Sequence, residues 1–171
     1  ALALAPRSLN VVIGHGAERV RAALGDVSAN WVVQQAQLGT GHAVQQALPL
    51  LAHDGTTLIL YGDVPLVRES TLRELVVIAN EGALALLTVE LGDPSGYGRI
   101  LRDAEGRVAA IVEHKDATVA QHAVREVNTG IMALPNARLH QWLPALGNDN
   151  AQREYYLTDI ISMAARSGVG V

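Results

Sequence analysis

The stretch Leu58-Ile-Leu-Tyr-Gly-Asp-Val-Pro65 decides the fold, because an apolar run ends there in a glycine, an acid and a proline. The near-continuous apolar run from Thr57 to Tyr61 is typical of a buried strand. In open α/β sheets ligands bind beyond the carboxyl ends of the strands, so Asp63 is predicted to face a cleft. Its carboxylate suits a hard cation, and Gly62 lets a ligand approach the backbone closely. Taken alone, a turn aspartate that caps the next helix explains the stretch equally well.

Short apolar runs and amphipathic helices alternate around this stretch. Strand-like runs cover Leu9–Ile13, Trp31–Val33 and Leu84–Leu91, and helical stripes lie within 44–51 and 72–79. This alternation predicts a parallel sheet with helices on both faces. After residue 91 the pattern changes to α+β, with a hairpin over 98–113, a strand over 127–134 and helices over 137–146 and from 157. We therefore expect one α/β domain whose second half mixes strand directions.

The composition excludes several classes of protein. The chain has 171 residues, 13 basic and 17 acidic, and a net charge of −4, whereas nucleic-acid or anionic-membrane binding needs a basic face. Hydrophobic residues make up 49%, enough for a core, yet no apolar run is long enough to span a membrane. Cysteine is absent, which excludes disulfides and thiolate metal sites and fits a reducing compartment. Phenylalanine is absent too, so the core must be aliphatic.

Two classes of protein place an acid after a buried strand in this way. A P-loop enzyme would need G-x-x-x-x-G-K-[ST], but the single lysine, Lys115, is not preceded by such a loop. A receiver domain would need acids after its first strand and a lysine after its last. The sequence Gly14-His15-Gly16 follows the first strand-like run instead, and no lysine follows a final strand, so both interpretations are disfavoured.

A second polar segment, Gln34 to His42, joins a predicted strand to a predicted helix. Glutamine amides offer both donors and an acceptor, which suits the imide edge of a pyrimidine base. Gly39 and Gly41 permit close backbone approach, and a helix N-terminus favours an anion nearby. A G-x-G-x-x-G fingerprint fails at its third position, Val44. On these residues alone, a strand–helix turn capped by Thr40 is the better interpretation.

Six strings, in order over nearly the whole chain, carry a resemblance to a known family. They are Gln34–Ala43, Leu60–Leu66, Asp93–Ile100, Ile111–Asp116, Glu126–Gly130 and Glu154–Asp159. Together they resemble the sugar-nucleotidyltransferase family, most closely the pyrophosphorylase domain of bacterial bifunctional N-acetylglucosamine-1-phosphate uridylyltransferase/glucosamine-1-phosphate acetyltransferases. The resemblance implies a nucleotide-diphospho-sugar transferase fold, a Rossmann-like mixed sheet with flanking helices.

The resemblance also implies a reaction and roles for individual residues. UTP and N-acetylglucosamine-1-phosphate would react on Mg²⁺ to give UDP-N-acetylglucosamine and pyrophosphate, for peptidoglycan and lipopolysaccharide precursors in the cytoplasm. Asp63 would be the metal ligand and the catalytic residue. The residues implied to bind substrate are, for uridine, Gln34, Gln37, Gly39 and Thr40; for the nucleotide sugar and phosphate, Tyr61 and Gly62; and for the sugar side, Gly98, Glu113, Asn128, Tyr156 and Thr158.

The sequence departs from the family pattern at its start. The family's glycine-rich phosphate loop, its first βα unit, is not in this sequence, nor is the later β-helix acetyltransferase domain. We therefore expect residues 1–171 to be a partial uridylyltransferase domain that alone is inactive or nearly so. The intact protein would be a homotrimer through the β-helix, and this piece a monomer. Two alternatives are a sugar-nucleotide-binding module without catalysis and a nucleotidyltransferase for another sugar-1-phosphate.

Overall fold

The computed structural model describes residues 1–171, which form seven strands and six α-helices. The strands are β1 (Asn10–Ile13), β2 (Asn30–Val33), β3 (Thr56–Ile59), β4 (Ala85–Glu90), β5 (Arg99–Arg102), β6 (Val108–Val112) and β7 (Glu126–Pro135). The helices are α1 (Ala17–Ala23), α2 (Thr40–Ala47), α3 (Glu69–Asn80), α4 (Val119–His122), α5 (Asn136–Trp142) and α6 (Asp159–Arg166). Short 3-10 helices cover Leu2–Leu4, Leu48–Leu50, His114–Asp116 and Leu143–Ala145. No helix is long and apolar enough to cross a membrane.

The strands form two sheets, and the larger one corrects the expected strand directions. Strands β1 and β2 pair in parallel, as predicted for the first half of the chain. In the five-stranded sheet every pairing is antiparallel: β7 has β4 on one edge and β3 and β5 on the other, and β6 pairs with β5. The prediction that the strands of the first half all lie in one parallel sheet is therefore wrong. Strands β3 and β4 run in the same direction, but β7 lies between them.

Strand β7 is the centre of the hydrophobic core, because both of its faces are covered. Alternate side chains of a strand point to opposite faces. Ile131 and Ala133 pack against α3, whereas Met132 and Leu134 pack on the side of α5 and α6. All four of these side chains are fully buried. As expected without phenylalanine, the two clusters are aliphatic except for Met132, Trp142 and the partly buried Tyr155 and Met163.

The predicted hairpin is confirmed. Strands β5 and β6 pair in antiparallel register, and the turn between them has Gly106 at a φ of 79°. A positive φ of this kind is readily adopted by glycine. The hairpin places residues 98 and 113, which flank its open end, next to the first half of β7. This arrangement gathers the sugar-side residues implied by the sequence.

Candidate functional site

The Gln34–Thr40 loop surrounds a cavity at the end of β2. The cavity has a volume of about 240 Å³ and is lined by Gln34, Gln37, Gly39, Thr40, Ala43 and Glu154. All four residues expected to bind uridine thus border one space. The buried Gln34 amide nitrogen donates to the Gly39 carbonyl at 3.1 Å and lies 2.9 Å from His42 Nδ1. The Gln37 amide donates to the Gln34 carbonyl at 3.1 Å and so closes the loop on itself.

The two glycines of this loop are required by a close approach of residues 154–157. Gly39 has a φ of 107°, and a Cβ there would lie 2.7 Å from the Tyr155 carbonyl oxygen. A Cβ on Gly41 would lie 2.8 Å from the same oxygen. The Gly41 N–H donates to that oxygen at 2.8 Å, and Tyr155 N–H donates to the Leu38 carbonyl at 2.8 Å. The loop and the later segment therefore meet backbone to backbone.

Thr40 begins α2 but does not cap it. No side-chain hydrogen bond caps this helix; the Thr40 hydroxyl instead accepts a hydrogen bond of 3.1 Å from Leu157 N–H. The interpretation of the segment as a simple turn capped by Thr40 is therefore wrong. The hydroxyl ties the loop to a segment more than one hundred residues later.

Tyr61 connects the cavity to the central strand. A Cβ on Gly130 of β7, where φ is 83°, would lie 2.9 Å from a carbon of the Tyr61 ring, so the ring rests directly on the strand backbone. Burial raises the pKa of the Tyr61 phenol, while the Thr40 hydroxyl acts in the opposite direction. The negative charges of the Glu113 and Asp63 carboxylates raise that pKa further.

Gly62 and Asp63 lie in the exposed turn that follows β3. A Cβ on Gly62 would meet no atom within 4 Å, so the space beside the turn is open. No group of three or more His, Cys, Asp or Glu side chains is arranged to hold a metal ion. Asp63 is thus a single accessible carboxylate next to open space.

The sugar-side residues form a second group around Glu113. Its Oε1 accepts a 2.8 Å hydrogen bond from the buried Thr158 hydroxyl, and a Cβ on Gly98 would lie 3.3 Å from its Oε2. Asn128 N–H donates to the Gly98 carbonyl at 2.9 Å, and Asn128 Oδ1 accepts from Gly130 N–H at 2.9 Å. The structure therefore brings Gly98, Glu113, Asn128 and Thr158 together, beside the stretch of β7 that Tyr61 contacts.

Several carboxylates act on Glu113. Burial raises the pKa of Glu113 above its usual value, and the hydrogen bond from Thr158 opposes the shift. The negative charges of Asp159, Asp116 and Glu154 raise it further. Glu113 is thus a carboxylate with a raised pKa that is held through one oxygen.

Tyr156 lies beside this group, but its hydroxyl is engaged within the protein. It donates to Asp116 Oδ2 at 3.2 Å and accepts from the Gln152 amide at 3.0 Å. Removal from water raises the pKa of the Tyr156 phenol. A second bond, from Ala151 N–H to Asp116 Oδ1 at 2.9 Å, fastens the same segment to the 3-10 helix that follows Glu113.

Sequence reasoning assigned no role to three residues of this region. Glu154 lines the cavity of the Gln34–Thr40 loop, His42 contacts Gln34, and Arg99 is fully buried. The Arg99 guanidinium donates to the Tyr97 carbonyl, and its Nε has no partner. The motif strings contain all three positions, but only spatial neighbours distinguish them from solvated polar residues.

Comparison with known proteins now decides the family. Residues 8–169 match the family model described as nucleotidyl transferase. The chain belongs to the nucleotidyl transferase family. It is 62% identical over its whole length to the bifunctional protein GlmU of Aromatoleum aromaticum, and 60% and 58% identical over 98% of its length to those of Pseudomonas putida and Marinobacter nauticus. The chain spans only 37–38% of the length of these relatives.

A solved structure shares the fold of this chain. The crystal structure of a UDP-glucose pyrophosphorylase complexed with UDP-glucose superposes with a TM-score of 0.72 at 15% identity. The match covers 92% of this chain and 69% of that protein. The expected mixed α/β fold of a nucleotide-diphospho-sugar transferase is therefore confirmed, with the correction to strand direction given above.

Proposed function

We propose that the protein containing this chain transfers a uridylyl group from UTP to N-acetylglucosamine-1-phosphate, giving UDP-N-acetylglucosamine and pyrophosphate. One observation carries the proposal: residues 154–158 border both the amide-lined cavity and the Glu113 group. Their backbone forms hydrogen bonds with Leu38, Thr40 and Gly41, and the Thr158 hydroxyl bonds Glu113. The site thus has two adjoining compartments, as a reaction between a nucleotide and a sugar phosphate requires.

The cavity formed by the Gln34–Thr40 loop is the nucleotide compartment. Its amides match the hydrogen-bonding edge of a pyrimidine, and Gly39 and Thr40 bring backbone close to the base. Tyr61 lies next to Thr40 of this cavity, and the chain continues from it into the exposed turn of Gly62 and Asp63, where ribose and phosphates would extend. The 58–62% identity to GlmU proteins favours uracil as the base.

The Glu113 group is the sugar compartment. Glu113 keeps Oε2 for a sugar hydroxyl while Thr158 holds Oε1, and Gly98 leaves room beside that oxygen. Asn128 Oδ1 is engaged by Gly130, which leaves its amide N–H groups to donate to the carbonyl of an acetamido substituent. Tyr156 and Thr158 close this side, and the acetamido match favours N-acetylglucosamine over glucose.

Asp63 fits the role of a Mg²⁺ ligand. Its carboxylate is exposed, has no ion-pair partner, and adjoins the open space beside Gly62. Carboxylate oxygen is a ligand that Mg²⁺ prefers, and this cation commonly takes one or two protein carboxylates together with substrate phosphates. When bound, the ion would offset negative charge on the phosphate groups.

The chain's own residues chiefly position the reactants. A phosphate oxygen of the sugar forms a bond to the α-phosphorus of UTP while the bond to the leaving pyrophosphate breaks. Holding the two substrates in adjoining compartments turns their encounter into a step within one complex. Because the relatives are bacterial, we further propose that the product is made in the cytoplasm for peptidoglycan and lipopolysaccharide precursors.

The test measures pyrophosphate release by the whole protein, with a chain as long as those of its relatives. We expect Mg²⁺-dependent release with UTP and N-acetylglucosamine-1-phosphate, weaker release with glucose-1-phosphate, and its loss in Asp63→Ala. Asp26→Ala, which removes an exposed carboxylate from a loop outside the site, is the matched control. Turnover retained in Asp63→Ala contradicts the metal assignment, and binding of UDP-N-acetylglucosamine without any turnover identifies a binding module instead. That the 171-residue chain alone is nearly inactive stays a prediction, which the same assay on this chain tests.

A further inference from the structure

The Gln34 side chain has a fixed orientation. Its backbone N–H donates to the Ile13 carbonyl at 2.8 Å, and its backbone carbonyl accepts from the Gln37 amide. The side-chain amide faces the Gly39 carbonyl at 3.1 Å. A carbonyl can only accept, so the amide nitrogen, and not its oxygen, must occupy that position. Gln34 is 8% exposed, which leaves the amide little room to turn.

The second N–H of the same amide points at His42. The distance from Gln34 Nε2 to His42 Nδ1 is 2.9 Å. Because the amide nitrogen donates, Nδ1 must be the unprotonated nitrogen of a neutral imidazole, whose proton then lies on Nε2. The Gln46 amide nitrogen lies 3.2 Å from that Nε2 and donates to the His42 carbonyl at 3.3 Å. With the ring proton on Nε2, the Gln46 amide must turn so that its oxygen accepts from the ring, and the 3.3 Å bond is given up. Gln46 is more exposed than Gln34, so the Gln46 amide is the one that turns.

Both donors of Gln34 are therefore used inside the protein, and its oxygen is the one atom left for a ligand in the cavity. An oxygen there accepts a hydrogen bond from N3–H of uracil and repels the N3 lone pair of cytosine. We propose that His42 is a specificity-determining positioning residue, which holds the Gln34 amide with its oxygen toward the base and so selects uracil over cytosine. This inference rests on the proposed function, because it takes the cavity as the base compartment.

Replacement of His42 tests the inference through binding of UTP against CTP, each with Mg²⁺, to the full-length protein. His42→Ala removes the acceptor for one Gln34 N–H, so that the 3.1 Å bond to the Gly39 carbonyl is the one side-chain hydrogen bond that still orients the amide. We expect the preference for UTP to fall roughly ten-fold, in line with the loss of one buried, specific hydrogen bond. His42→Asn places a side-chain oxygen near the position of Nδ1, and we expect it to restore most of the preference.

The controls separate positioning from folding and from the proposed function. His15→Ala removes an exposed imidazole from the turn after β1, and the preference should stay as in the wild type. Thermal unfolding verifies that each variant is folded. An unchanged preference in His42→Ala, an equal loss in His42→Asn, or a wild type without preference overturns the inference. Wild-type protein that selects UTP without transferring the uridylyl group overturns the proposed reaction alone.

Discussion

Replacement of Gly39 by alanine should damage the site far more than the same change at a glycine without neighbours. Gly39 has φ 107° and ψ 174°, a backbone region open essentially to glycine alone, and a side chain there costs about 1–3 kcal/mol. The new Cβ would lie 2.7 Å from the Tyr155 oxygen and 2.8 Å from Glu154 Cβ. To restore ordinary contact the 154–155 segment must move by roughly 0.7 Å, since packed interiors tolerate little overlap.

That movement would break the backbone hydrogen bonds between the loop and Tyr155. Two bonds of 2.8 Å join them, each contributing about 1 kcal/mol. With the backbone strain, we expect Gly39→Ala to lower the free energy of unfolding by roughly 3–5 kcal/mol. Gly82→Ala is the matched control, because Gly82 has φ 95° but open space around it, and strain alone costs about 1–2 kcal/mol there.

Urea unfolding of this chain measures the two losses, and UTP binding to the full-length protein measures the effect on the cavity. We expect Gly39→Ala to lose the greater stability and also to bind UTP weakly, whereas Gly82→Ala keeps its affinity. Equal destabilisation by the two variants would show that the close approach of Tyr155 to Gly39 does not affect the free energy of unfolding. The assignment of residues 154–155 as a wall of the base compartment would then be wrong.

Three further predictions concern the sugar compartment and the metal ligand. Thr158→Val removes the hydrogen bond to Glu113 and should raise KM for the sugar phosphate about ten-fold, with KM for UTP unchanged. The control is Thr57→Val, which loses a hydrogen bond far from the site and should leave both KM values unchanged. Glu113→Gln should raise Tm near neutral pH but not in acid. Because the pKa of Glu113 is raised in the folded state, its carboxyl group favours folding when it is protonated. That contribution to stability is lost as pH rises through the folded-state pKa. The variant should nonetheless bind sugar phosphate more weakly, and a Tm difference that does not grow with pH contradicts the assignment. Asp63→Asn keeps the shape but not the charge, so it should need much higher Mg²⁺ for half-maximal rate, and an unchanged Mg²⁺ requirement in a titration excludes Asp63 as ligand.

Local pattern predicted much of this fold, because it depends on residues close in sequence. The apolar run before Asp63 identified β3, and Gly106 identified the hairpin turn. The direction in which the strands pair could not be predicted from this pattern. An apolar run indicates that a strand is buried on both faces, but it does not indicate which strand lies beside it. Here β7, about forty residues after β4, enters between β3 and β4.

The site was predictable only where it depends on residue types. Paired glutamines and glycines predicted a polar turn, and only the family resemblance predicted that this turn binds a base. The contact of Tyr155 with both Gly39 and Gly41 joins residues more than a hundred positions apart, so no local signal indicates it. The hydroxyl of Tyr156, expected to face the sugar, is bonded to Asp116 and Gln152.

The segment of residues 154–158 connects the two proposed compartments through its backbone. If the two compartments bind the substrates as proposed, a nucleotide in the cavity would restrain the backbone of residues 154–157, and that backbone continues directly to Thr158 and its bond with Glu113. The entropy lost in ordering this segment would be lost once, with whichever substrate binds first. Linkage requires that any strengthening of sugar-phosphate binding by UTP be matched by an equal strengthening of UTP binding by the sugar phosphate. A stretch of five residues would thereby couple the binding of the two substrates.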